Sequence, residues 1–223
     1  MIQDLAVDIS VVVCTRNRAE SLRETLCSLV AQQSDGQFAY EVLVVDNAST
    51  DHTPRVVEEI SAAARIPVRY VREQCRGTSY ARNRGVATAR GEWIASFDDD
   101  QVADTRWLSQ LFLLAKQKNV RSVGGAVLLR LPEGFDREVS PVCRRVLGES
   151  SGWDQPRRYT RSEGPGAGNQ MLHRSVYESV GVYDVAYNLR GEDVDLYRRI
   201  RAAGIDTWYT PHAIAWHLSL IHI

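Results

Sequence analysis

The chain has 223 residues, 27 Lys and Arg against 28 Asp and Glu for a net charge of −1, and an apolar fraction of 44%. This composition is ordinary for a globular protein and excludes a disordered chain, a collagen and a coiled coil; near-neutral charge argues against a dedicated nucleic-acid binder, which needs clustered positive charge. No apolar run approaches the roughly 20 residues of a membrane helix, and residues 1–8 lack the basic start and apolar stretch of a signal peptide, so a cytoplasmic location is expected. The spacings of Cys14, Cys27, Cys75 and Cys143 fit neither a zinc ribbon nor a disulfide framework, and reduced core thiols are expected. All basic residues except Lys116 and Lys118 are arginines, a group that pairs bidentately with diphosphates.

Short β-rich runs alternate with helical patterns through the first half. Residues 9–13 are expected as a strand, and Leu22, Leu26, Leu29 and Val30 then share one helical face, with Asn17 and Glu20 spaced as a capping pair. Residues 42–45 form a second apolar run, after which Pro54 suits the first turn of a helix carrying Val56, Val57 and Ile60. A third strand is expected at 68–71, a helix at 80–90 closed by Gly91, and a fourth strand at 93–97 that runs into Asp98-Asp99-Asp100. A helix over about 104–118 packs through Trp107, Leu108, Leu111 and Leu114. Beyond an apolar strand at 123–129 the pattern lapses, and residues 131–165 read as an excursion, either covering a cleft or simply solvated, with Trp153 and Tyr159 as isolated aromatics. Ser175 and Glu178 have capping-box spacing, and a last helix runs from about Glu192 to Gly204. Such alternation implies an α/β fold with a mostly parallel sheet, helices on both faces, and ligands beyond the carboxyl ends of the strands.

The chemistry concentrates at those strand ends. Three successive carboxylates, Asp98, Asp99 and Asp100, repel one another unless a solvated turn or a cation offsets the cost, and their hard oxygens suit Mg²⁺ or Mn²⁺ with substrate phosphates. Gly191-Glu192-Asp193-Val194-Asp195-Leu196 opens a helix, where acidic residues either serve the helix dipole or present a general base. Asp46, in Val44-Val45-Asp46-Asn47-Ala48-Ser49-Thr50-Asp51, either caps a turn or accepts from a ribose or base edge. Cys14-Thr15-Arg16-Asn17-Arg18 follows the first strand, where helix amides and arginines can meet phosphates. His217 is open between a core histidine and a ligand, and His173 and His212 carry less signal. No P-loop, dinucleotide fingerprint, nucleophile elbow or zincin helix is present.

In order, these motifs, together with Ala81-Arg82-Asn83-Arg84-Gly85, Gly166-Ala167-Gly168-Asn169-Gln170-Met171 and residues 211–217, resemble glycosyltransferase family 2 over nearly the whole chain. The resemblance implies a GT-A fold in a single domain spanning 1–223. About residues 1–100 would form a Rossmann-like nucleotide-sugar half and about 101–218 an acceptor and catalytic-base half. It implies inversion at the anomeric carbon, a nucleotide-diphosphate sugar donor, Mg²⁺ or Mn²⁺, and an acceptor hydroxyl on a glycan, a lipid-linked sugar or a small molecule. Peripheral association with the inner face of the cell membrane stays open.

Carried over by position, Asp193 matches the catalytic base. Thr15, Asn17, Arg18, Asp46, Ser49, Arg82, Asn83, Asp98 and Asp99 fall on the nucleotide-sugar side, with Asp46 reading the nucleoside and Asp98 near the ribose. Asp100 matches a metal ligand, and His217 resembles the late histidine that in some GT-A enzymes reaches the metal or diphosphate. Glu192, Asn169 and Trp153 are expected on the acceptor side. The chain departs from the family at Gln101, where many members carry a further aspartate, and residues 219–223 read as an artefact or a truncated end. The alternatives are a sugar-phosphate nucleotidyltransferase, which would normally carry a glycine-rich loop with a lysine, and a relative that binds nucleotide sugars without turnover.

Overall fold

Three valines in succession leave a strand no polar face, so β1 (Ile9–Thr15) must be covered on both sides. The computed structural model describes residues 7–131, 139–150, 153–160, 163–187 and 190–218, and it places β1 inside one mixed sheet. Parallel neighbours flank β1: β2 (Tyr40–Asp46) on one side, followed by β3 (Val68–Arg72), and β4 (Trp93–Asp98) on the other. The expected end at residues 219–223 lies outside the described residues.

Alternation along β1 sorts the core. Ile9, Val11 and Val13 point to one layer with Val42, Val44, Ala95 and Phe97, where α1 (Ala19–Val30), α2 (Thr53–Ala63) and α4 (Trp107–Lys118) supply Leu22, Leu26, Val56, Trp107 and Leu111. Val12, Leu43, Val45 and Ile94 face the other layer, built from α3 (Thr78–Thr88), α6 (Arg174–Val180) and α7 (Glu192–Ala202). Gly85 lets α3 lie directly on the sheet, since a Cβ there would collide with Val12.

The second half closes the sheet differently. After β4 the chain turns through Asp99 and Asp100 into β5 (Gln101–Ala103), then crosses α4 to β6 (Ser122–Leu129). A strand not evident in the sequence, β8 (Asn169–His173), inserts antiparallel between β4 and β6. The last strand, β9 (Thr207–His217), runs parallel to β6 and antiparallel to β5. Its register slips where Gly125 meets the Ala213 carbonyl, and Pro211 sits in the slipped stretch, away from any need to donate to the ladder. The excursion at 131–165 is not bare loop: α5 (Pro141–Val146) and β7 (Arg157–Arg158, paired with β9) form within it, while 132–138, 151–152 and 161–162 lie outside the described residues.

Several local expectations are corrected by tertiary contacts. The Asn17–Glu20 capping pair does not form: Asp51, from the loop after β2, accepts from the Ala19 amide at 3.1 Å, while Asn17 turns at φ 53° and Glu20 pairs with His52 at 2.9 Å. His173, rather than Ser175, caps α6 by accepting from the Ser175 amide at 3.3 Å. The third helix begins two residues before Tyr80 and ends before Gly91, which instead lies against the backbone of β1. All four cysteines are free thiols, but Cys27, Cys75 and Cys143 are exposed and only Cys14 is drawn inward.

Candidate active site

Register delivers the strand-end motifs to one place. Thr15 of β1 pairs with Asp46 of β2, and Cys14 with Asp98 of β4, so three polar loops leave the sheet side by side. They enclose a cavity of about 360 Å³ whose wall includes Thr15, Arg16, Arg18, Asn47, Arg82, Asp98, Asp99, Asp100 and His217. Thr15 Oγ1 is buried there without an aligned hydrogen bond among the described residues.

The acidic turn is held by charge. Arg18, at the start of α1, contacts Asp99 Oδ1 at 3.0 Å and Asp100 Oδ2 at 2.7 Å. Burial pushes the Asp99 carboxyl up to about 6 against the pull of the neighbouring Thr15 hydroxyl and of Arg18. Asp98 is also raised by burial, with Arg82 opposing. Burial acts on Asp100 in the same direction but is outweighed by His217 and Arg18, which hold it below the usual carboxylate range.

His217 reaches this turn because β9 pairs with β5: it sits opposite Gln101, and the Leu218 amide donates to the Asp100 carbonyl at 2.9 Å. Its Nε2 lies 3.5 Å from Asp100 Oδ1, its Nδ1 lies 3.1 Å from the Leu147 carbonyl, and the bond to Asp100 raises its pKa despite burial. Among the described residues no three His, Cys, Asp or Glu side chains converge to hold a metal unaided. Asp100 and His217 nevertheless fit Mg²⁺ or Mn²⁺, which complete their shells with phosphate oxygens and water.

The acidic motif at the start of α7 reaches the cavity through an intermediary. Glu192, at the first turn of α7, is buried against Arg82, with Oε1 3.3 Å from Nε, and Arg82 reaches Asp98 Oδ1 at 3.5 Å. Asp193 is partly exposed at the positive end of α7, beside Gly191 at φ 88°, and its carboxylate accepts from the Val194 amide at 2.8 Å. Asp195 turns away to Arg198 and Arg199.

Not every residue carried over from sequence lines the cavity. Asp46 is fully buried beneath it, accepting from Tyr70 Oη at 2.6 Å and the Ser49 amide at 2.8 Å, and the neighbouring Asn47 takes the place in the wall. Ser49 and Asn17 brace the two loops, Ser49 Oγ accepting from the Asn17 amide at 3.0 Å and Asn17 Oδ1 from the Thr50 amide at 2.7 Å. Asn83 is spent on both backbone groups of Tyr183. Asn169 is saturated inside the core by Trp107 Nε1, the Ala126 carbonyl and the Ala213 carbonyl. Trp153 stacks edge-on against Tyr159 and Tyr209. What sequence reasoning passed over is Asn47, one pleat beyond Asp46, and Tyr70, whose place near the end of β3 was the available signal. Gly168 has a steric role that its motif alone does not reveal: a Cβ there would overlap the Asp98 carboxylate, so the glycine loop is fitted to that side chain.

An α/β sheet with carboxylates and arginines around a polar cavity at its strand ends belongs to the class that binds ligands beyond the carboxyl edge. Residues 10–180 match the family Glycosyl transferase family 2, and the chain belongs to it. Relatives include the uncharacterized glycosyltransferase YfnE of Bacillus subtilis, 35% identical over 86% of this chain and 46% of that protein, and the glycosyltransferase AglE of Haloferax volcanii, 25% identical over 94% and 66%. Among solved structures, the mannosyltransferase PcManGT of Pyrobaculum calidifontis superposes with a TM-score of 0.69 at 21% identity, covering 96% of this chain and 59% of that one. S. aureus TarS gives a TM-score of 0.68 at 18% identity, over 94% and 36%. The chain has the GT-A fold that its resemblance implied. The chain spans only part of the curated relatives it matches, 24%, 66% and 58% of the lengths of three of them. No helix among the described residues is long and apolar enough to cross a membrane.

Proposed function

We propose that this chain transfers a sugar from a nucleotide-diphosphate donor to an acceptor hydroxyl by metal-assisted direct displacement, with inversion. The observation that carries the reading is the meeting of Asp98, Asp100 and His217 in one cavity, with the Glu192–Asp193 turn joined to it through Arg82. Two solved relatives support the donor class: PcManGT was solved with GDP-Man and Mn²⁺, and TarS 1–349 with UDP.

In this reading, residues 1–100 form the donor half and residues 101–218 the acceptor half. Thr15 and Asn47 meet the nucleoside, while Asp46 stiffens the loop beneath them. Asp98 receives the ribose or sugar hydroxyls, Arg18 supplies positive charge to the diphosphate, and Arg82 stands behind Asp98 as its internal counter-charge. Asp100 and His217 would hold the Mg²⁺ or Mn²⁺. When bound, that cation would supply charge stabilisation for the diphosphate leaving group. Asp193 takes the proton of the acceptor hydroxyl as its oxygen attacks the anomeric carbon, and one base suffices for a single displacement. The acceptor approaches from the α7 side, with Glu192 buried behind the base.

A thermal screen of nucleotide sugars with Mn²⁺ identifies the donor, since ligand at about 100 times its Kd stabilises by about 2.7 kcal/mol. With donor in hand, Asp193→Asn is expected to lose at least about a hundredfold in turnover, the lower end of general-base catalysis, with donor affinity within a few-fold of wild type. Near-normal transfer by Asp193→Asn, with loss of transfer in Glu192→Gln, would move the base to Glu192.

A further inference from the structure

One face of α3 holds the whole approach to the base. Ser79, Arg82 and Asn83 stand at i, i+3 and i+4 on that helix. Ser79 Oγ donates to the Tyr187 carbonyl at 2.9 Å. Asn83 Nδ2 donates to the Tyr183 carbonyl at 2.8 Å, and the Tyr183 amide returns to Asn83 Oδ1 at 2.9 Å. These contacts fix the chain just before Gly191. Arg82 alone reaches both ways, towards Glu192 on one side and Asp98 on the other.

We propose that Arg82 is a positioning residue that makes the placement of the Glu192–Asp193 turn depend on what occupies Asp98. This rests on the reading of Asp98 as a donor contact and Asp193 as the base. The Arg82 side chain is only 12% exposed and shared between two carboxylates, with its Nη1 donating to the Ala167 carbonyl at 3.3 Å and its guanidinium 5.7 Å above the Tyr183 ring. Neither carboxylate contact is tight: 3.3 Å to Glu192 and 3.5 Å to Asp98 exceed the roughly 2.7–2.9 Å of a well-formed charge-assisted bond. The Nε proton is buried without an aligned acceptor among the described residues, although Glu192 Oε1 is its nearest charge. The guanidinium is therefore held in a divided arrangement. A donor hydroxyl hydrogen-bonding to Asp98 weakens that carboxylate's claim on Arg82, and the guanidinium settles on Glu192. Gly191, left-handed at φ 88° immediately before Glu192, supplies the backbone freedom for α7 to follow. In this way the base turn is drawn into place when the donor site is filled, and acceptor chemistry waits on donor binding.

Amide hydrogen exchange over residues 190–196 tests the coupling without relying on turnover. The probe is UDP or GDP, whichever stabilises the wild type, with Mn²⁺ at saturating concentration. Wild type is expected to gain about tenfold protection or more in this segment. Arg82→Met should lose that gain while still binding the nucleotide, and Arg82→Lys should keep part of it. Glu192→Gln, which cuts the same link without vacating a buried position, should lose it as well. Wild-type protection retained in Glu192→Gln or Arg82→Met would overturn the proposal. So would a fall in nucleotide affinity of more than about tenfold in Arg82→Met alone, which marks an ordinary donor ligand. The base assignment is judged separately: loss of turnover in Asp193→Asn beside unchanged protection in Glu192→Gln keeps the base and rejects the coupling.

Discussion

Asn169 separates a structural role from a site role with one substitution. Its side chain is 1% exposed and makes three hydrogen bonds: from Trp107 Nε1 at 2.8 Å, to the Ala126 carbonyl at 2.8 Å and to the Ala213 carbonyl at 3.0 Å. It thereby joins α4, β6 and the slipped stretch of β9 from its own place on β8. Asn169→Ala leaves an indole N–H and two carbonyls unpaired in the interior, each costing about 1–3 kcal/mol. Partial rehydration of the new space lowers the sum, so about 3–6 kcal/mol is expected. In a chain of this size 1 kcal/mol moves Tm by about 2–4 °C, which gives a fall of about 6–24 °C. Differential scanning calorimetry measures it, and acceptor KM at a temperature where the variant is folded should stay within a few-fold of wild type. A Tm within 2 °C of wild type together with a large rise in acceptor KM would refute the packing argument and return Asn169 to the acceptor site.

Four further outcomes follow from the same geometry. Asp100→Ala removes the carboxylate that faces His217 and should weaken Mn²⁺-assisted nucleotide binding at least about tenfold by calorimetry, about 1.4 kcal/mol; equal affinities would reject its metal role. Gly168→Ala drives a methyl into the Asp98 carboxylate and should reduce nucleotide affinity by a similar factor with little change in Tm, as titration and melting together will show. An aromatic disulfide reagent should label Cys27, Cys75 and Cys143 quickly and Cys14 slowly, because burial pushes the Cys14 thiol up to about 12; rapid labelling of four thiols contradicts this. For Asp195, burial raises the pKa but the hydrogen bonds and charge of Arg199 and Arg198 outweigh it, so the folded value is depressed. Its stabilisation is therefore present above the unfolded value near 4 and lost as pH falls through the folded one. Urea denaturation should show Asp195→Asn less stable than wild type at pH 7, with the gap closing below about pH 4; a gap constant with pH would contradict the linkage.

What the sequence determined by itself is local and periodic. Valine runs too apolar for a one-faced strand required a sheet covered on both sides, and the leucine spacing of α1 and α4 marked the faces that cover it. The motifs at the ends of β1, β2 and β4 were legible because parallel strands in register must end together, which brings Thr15, Asp46 and Asp98 to one edge whatever their loops do. Tertiary structure decided the rest. Asp46 and Asn47 are adjacent in sequence, and only the pleat and Tyr70 settle that the first is buried and the second faces the cavity. Cys27 sits among apolar residues but on the outward side of α1, while Asp51 caps that helix across 32 positions. The insertion of β8 consumes Asn169, and the pairing of β9 with β5 carries His217 to Asp100. Local propensity acts within a turn or a pleat, whereas such long-range partners are selected by burying every apolar face and pairing every backbone group at once. That condition belongs to the folded chain as a whole.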